Sequence, residues 1–121
     1  MKIKVCGLKE PENIKAVEGL TPDYMGFIFY DKTPRFVNGL KFETLNGLSS
    51  SIQKTAVFVN ELAENINQLI DTYNFDAIQL HGDEQADFCD SFRFKVKVIK
   101  AFGINESFNF EALNEYINKV D

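Results

Sequence analysis

Cysteine is scarce in this chain: two residues in 121, Cys6 and Cys89. They lie far apart, which excludes a disulfide framework and gives no metal-ligand spacing. Both read as reduced thiols. Histidine is scarcer still, with His81 the only imidazole. No apolar stretch approaches the ~18 residues of a membrane span, and the N-terminus lacks the long apolar core of a signal peptide. A cytoplasmic location without a membrane partner is the expectation. Positive charge is in deficit, with 13 Lys and Arg against 18 Asp and Glu and a net charge of −5. Nucleic acid is repelled on average, while one local basic pocket for a small anion remains open.

What is present is ordinary in amount and regular in order. The chain is 45% hydrophobic and 26% charged, as in a soluble globular protein, and is long enough for one domain over residues 1–121. Short β-type runs alternate with helical stretches. The runs are Lys2 to Cys6, Tyr24 to Tyr30, Thr55 to Val59, Ala77 to Leu80 and Val96 to Phe102. Helices are expected over Glu12 to Glu18 behind Pro11, over a short or irregular piece within 40–50, over Glu61 to Tyr73, over Glu84 to Phe92, and over Asn109 to Val120. The last has Phe110, Leu113, Tyr116, Ile117 and Val120 as its apolar stripe. Five βα units predict an α/β fold with a parallel sheet. An open doubly wound sheet suits the length; part of a (β/α)₈ barrel is the alternative.

In either case the strand C-termini meet at one edge, where such folds place their sites. That edge collects Cys6, Arg35, Asn60, His81 and the Phe102–Gly103 step. Lys4 and Cys6 share a strand face, as do Gln79 and His81, and Val98, Lys100 and Phe102. Polar residues turned towards covering helices are costly to bury; turned towards a barrel interior they are easier to place, which tilts the reading to a barrel. Each residue also has a plainer reading. Cys6 can be a small buried hydrophobe and Cys89 packs inside a helix. His81 can make one structural hydrogen bond, and Gln79 can satisfy a backbone group. Arg35 can be a solvated turn charge, and Lys100 can pair with a carboxylate. Gly82 permits a tight turn, and Asp83 is a candidate helix cap.

The segments KVCGL at 4–8, GFIFY followed by TPRFV within 26–37, VFVN at 57–60, IQLHGDE at 78–84 and VIKAF at 98–102 occur in this order. Together they resemble the phosphoribosylanthranilate isomerases of tryptophan biosynthesis, from Lys2 to Phe102. The resemblance implies a partial (β/α)₈ barrel with sheet order 1-2-3-4-5 and an Amadori rearrangement of an aminoaldose phosphate to an aminoketose. No cofactor and no metal are implied. Cys6 is implied as the general base, and Arg35, Gln79 and His81 as substrate-binding residues. The family's usual serine is Thr33 here, which keeps the hydroxyl. A base working on a carbon acid needs a pKa near the working pH, and a free thiol, near ~8.5 and lowered by adjacent positive charge, can supply one.

The family carries three further βα units, which hold the general-acid aspartate and the phosphate-binding loops. No residue here matches either, so the chain is expected to correspond to the first five units and to be inactive alone. Strands one and five would be open edges, and self-association through them is expected. The competing reading is a non-catalytic binding or assembly module on a flavodoxin-like sheet of order 2-1-3-4-5.

Overall fold

Strand pairing decides between those architectures. In a computed structural model of residues 1–121, five parallel strands are hydrogen-bonded in the order 1-2-3-4-5. The strands are β1 (Lys4–Cys6), β2 (Tyr24–Ile28), β3 (Gln53–Phe58), β4 (Ala77–Leu80) and β5 (Lys97–Lys100). A flavodoxin-like sheet would place β1 between β2 and β3, so that reading is overturned. The sheet also curls. Lys97 Nζ on β5 donates to the Tyr24 hydroxyl on β2 at 3.1 Å. In a flat sheet those strands stand about 14 Å apart, beyond the meeting of parallel side chains.

Helices α1 (Pro11–Glu18), α2 (Phe42–Asn46), α3 (Ala63–Tyr73) and α4 (Ala86–Asp90) connect the strands. Pro11 opens α1 with a preset φ, and Ile14 is its one buried side chain. In α3, Ile66 and Ile70 are one turn apart and buried, while Leu62, inside the helix expected from Glu61, precedes the observed one and is 68% exposed. The core lies between helices and sheet. Met25, Phe27, Ala56, Phe58, Ile78, Leu80 and Val98 fill it from the strands.

A repeated carboxylate device sets the strand starts. Asp23, just before β2, accepts from the Ile3 backbone N–H at 2.8 Å. Asp76, just before β4, accepts from Lys54 N–H at 2.8 Å. Asp121 accepts from Val98 N–H at 2.9 Å. Each also meets a cation: Lys2 at 3.0 Å, Lys54 at 3.9 Å and Arg93 at 3.2 Å. The backbone donor lowers the Asp23 and Asp121 pKa values below the usual carboxylate value, with the nearby cations adding to it.

Three expectations fail. Residues 109–120 form no α-helix: Phe110–Tyr116 is a 3₁₀ segment, capped by the Asn109 side chain. The 3₁₀ turn, with its eclipsed i, i+3 side chains, splits the expected stripe: Phe110 and Ile117 are 62% and 63% exposed, while Tyr116 and Val120 pack against the core. Asp83 does not cap α4, whose preceding residue is Gln85; its N–H donates to Asn60 Oδ1 at 2.7 Å. Lys100 does not face the inner side of the curled sheet. Its register partner is Leu80, a core residue, which puts it on the helix-covered face.

Candidate active site

The first residues to settle are those around Cys6. The thiol is half-buried on the inner face, in register with Gly26 of β2. A Cβ on Gly26 would stand 2.7 Å from Cys6 Sγ and 3.1 Å from Lys4 Nζ. The missing side chain makes the space that both groups fill. Gly7 follows with φ +90°, a left-handed conformation that L side chains rarely adopt. Above it lies Arg35, whose Cδ is 2.7 Å and Nη1 3.1 Å from where a Gly7 Cβ would be. The glycine after the cysteine thus turns the chain and lets the guanidinium lie over the backbone of the residue next to Cys6.

Arg35 is exposed, but its loop is fixed. Val37 N–H donates to Ile28 O at 2.8 Å, so the TPRFV segment returns along the end of β2. Thr33 holds the turn itself: its carbonyl accepts from Phe36 N–H at 3.1 Å and its hydroxyl from Arg35 N–H at 3.4 Å. The hydroxyl shared by serine and threonine is the part of residue 33 that this turn uses.

Gln79 and His81 stand three strands away. Gln79 is half-buried and in register with Val57 and Ile99, on the same inner face as Cys6. His81 follows β4, is exposed, and is anchored through its backbone N–H to Phe58 O at 2.9 Å. No hydrogen bond joins either side chain to Cys6 or Arg35. The structure therefore brings Cys6 and Lys4 together, sets Arg35 over the adjoining Gly7, and leaves Gln79 and His81 along the same edge.

A second polar cluster closes that edge from behind, and sequence reasoning missed its central residue. Glu84, expected only as a helix-start charge, is 7% exposed. Its carboxylate accepts from Asn60 N–H at 2.8 Å and Gly82 N–H at 2.9 Å, and pairs with Lys100 Nζ at 3.1 Å. Lys100 also donates to Gly82 O at 2.7 Å and Ala101 O at 3.0 Å. Both side chains are almost fully buried, at 3% and 2% exposure. The cluster ties the ends of β3, β4 and β5 together and so holds the backbone on either side of His81. Gly82 is required by close approach, since a Cβ there would collide with the Asn60 side chain. The available signal was a lysine inside the apolar run VIKAF, at a position whose parity puts it among core residues.

Cys89 is buried, and burial pushes its thiol up from the usual value; packing is its role. A hollow of about 480 Å³ between Lys9, Phe36 and Lys41 lies outside this arrangement. No group of His, Cys, Asp and Glu has the geometry to hold a metal ion. No helix is long and apolar enough to cross a membrane.

A curled parallel sheet with helices outside it, carrying a thiol, a guanidinium and an imidazole at its C-terminal edge, defines a (β/α)-barrel piece. The sequence pattern of the family described as N-(5'phosphoribosyl)anthranilate (PRA) isomerase matches residues 3–121, and the chain belongs to that family. Among curated relatives, the N-(5'-phosphoribosyl)anthranilate isomerase of Parabacteroides distasonis is 39% identical over 124 residues, covering 100% of this chain and 56% of its own length. That of Thermoanaerobacter sp. (strain X514) is 34% identical over 116 residues, covering 96% and 57%. The crystal structure of phosphoribosyl anthranilate isomerase from Thermotoga maritima superposes with a TM-score of 0.79 at 28% identity, over 98% of this chain and 57% of that one. A further structure of the enzyme, in complex with reduced 1-(o-carboxyphenylamino)-1-deoxyribulose 5-phosphate, gives 0.78 at 28% identity, over 98% and 60%. The chain spans somewhat more than half the length of the proteins it matches.

Proposed function

We propose that this chain carries the proton-abstracting part of a phosphoribosylanthranilate isomerase. Residues 1–121 act as a single domain, equivalent to the first five βα units. The supporting observation is Arg35 packed over Gly7, the residue that follows Cys6, at the rim of a chain of this family. In the Amadori rearrangement the furanose opens to an iminium. The Cys6 thiolate then takes the proton from the sugar carbon next to it, leaving an enolamine that becomes the ketone. Hydrogen moves between adjacent carbons with no net oxidation. Arg35 holds the anthranilate carboxylate by a charge-assisted hydrogen bond, and Gln79 and His81 line the sugar. The general acid and phosphate grip come from βα units beyond the five seen here, so the 121-residue chain alone has little or no turnover. Its place of work is the cytoplasm.

An in-frame chimera tests this. The chain is joined to the C-terminal part of the Parabacteroides distasonis relative, and product formation is followed by fluorescence. The expected outcome is turnover by the chimera, loss of at least ~10²-fold on Cys6→Ala, and none by the chain alone. A folded but inactive chimera, or one indifferent to Cys6→Ala, overturns the reading. The edge of β1 carries unpaired backbone groups, while that of β5 is partly capped by Asp121 on Val98, and two copies associate through the open β1 edge. A strictly monomeric species by light scattering at high concentration counts against that.

A further inference from the structure

Lys4 is the one ammonium in this chain that is partly buried without a partner. The lysines at 2, 9, 54, 95, 97, 100 and 119 each donate to, or pair with, a named oxygen. Lys15, Lys32 and Lys41 have no such partner and are exposed to solvent. Lys4 is half-buried on the inner face, with no carboxylate within 4.0 Å and no hydrogen-bond acceptor. A half-buried ammonium with no partner in the chain gains by meeting an anionic or oxygen-bearing group from solution.

Its location says which ligand group. Lys4 Nζ and Cys6 Sγ stand 3.1 and 2.7 Å from the same point over Gly26. The two are therefore no more than about 6 Å apart, the range over which a charge acts on its neighbour. Lys4 approaches the thiol from the strand's N-terminal side, deeper in the curl. Arg35 approaches from the rim, over Gly7.

We infer that Lys4 is a second substrate-binding cation, paired with Arg35 across Cys6, which receives an oxygen of an oxygen-rich anionic ligand at the thiol. This rests on the isomerase reading for the ligand's identity: there, the oxygen nearest Cys6 is the hydroxyl on the carbon that loses its proton. The local claim, a site of positive potential at Cys6, stands on the geometry alone.

Alkylation of Cys6 in the 121-residue chain tests the local claim. Iodoacetate and iodoacetamide both react through the thiolate, so the ratio of their rates cancels the thiolate fraction and reports the charge around the sulfur. Site-resolved mass spectrometry separates Cys6 from buried Cys89. The ratio in the unaltered chain should exceed that of N-acetylcysteine by roughly three- to tenfold, and high salt should collapse it. Lys4→Met should lower it about threefold or more and Lys4→Arg should keep it. Lys4→Gln replaces Lys4→Met if circular dichroism shows the latter misfolded. In the chimera, Lys4→Met should raise KM about tenfold, with Lys4→Arg restoring it. An iodoacetate preference unchanged by removing the Lys4 charge overturns the inference, whatever the chimera does. A chimera that never turns over defeats the isomerase reading and leaves the alkylation result standing.

Discussion

Two corners of the same sheet edge hold charge in opposite ways. At the β3–β5 corner, Glu84 and Lys100 are buried, face each other at 3.1 Å, and spend their remaining capacity on backbone groups. At the β1–β2 corner, Lys4 shares the space over Gly26 with Cys6 and Arg35 lies over the next residue, Gly7, with no carboxylate opposite either cation. Buried charge that is fully paired is structural, because removing one partner strands the other. Charge left open beside a thiol is free to meet something that arrives from solution. Both corners are made of polar residues at strand ends, and only partner geometry tells them apart.

The sharpest way to break this contrast is Glu84→Ala. It leaves Lys100 buried without a counter-charge and two backbone N–H groups without an acceptor. Urea unfolding should show a loss of about 3–5 kcal/mol, with little change in the Cys6 alkylation ratio of whatever fraction remains folded. If the cost is below about 1 kcal/mol, the two corners do not differ as described.

Gly7→Ala comes next. The left-handed backbone should cost about 1–2 kcal/mol, and the new methyl must move Arg35. The iodoacetate preference at Cys6 should fall while the β3–β5 corner is untouched. A variant of unchanged stability and unchanged preference would show that the glycine is not what holds thiol and guanidinium together.

A smaller effect is expected from acid. The Asp23 and Asp121 carboxyls are held below their usual pKa, first by backbone N–H donors and then by cations. A depressed folded value means their stabilisation is complete above the unfolded carboxylate value and lost as pH falls below about 4. The urea midpoint should therefore be level near neutral pH and fall through that window. Asp23→Asn with Asp121→Asn should flatten the fall. A slope identical in the double variant would assign the acid sensitivity elsewhere.

Least of all, Phe110→Ser on the exposed side of the 3₁₀ segment should change stability by no more than about 0.5 kcal/mol. A loss several times larger would restore the apolar stripe that the structure denies.

Legibility in the sequence followed the range of the forces involved. The five strand–helix alternations were readable because each depends on local spacing, as with Ile66 and Ile70 one turn apart in α3. Helix ends were misjudged where tertiary bonds took the terminal residue, as Glu84 and Asp83 show. In place of the α-helix expected over 109–120 stands a 3₁₀ segment with Phe110 outside, and of the expected stripe Tyr116 and Val120 pack on the core.

By itself the sequence determined the order of elements, the alternation that puts Lys4 and Cys6 on one face, and the collection of Cys6, Arg35 and His81 at one edge. These follow from the two-residue period of a strand and the common direction of parallel strands. Only the tertiary structure decided that the strands lie in the order 1-2-3-4-5 and curl, that Lys100 belongs to Glu84 in the core, and that Arg35 lies over Gly7 with Lys4 unpaired below the thiol. Those outcomes depend on which backbones approach one another closely, and no local period carries that information.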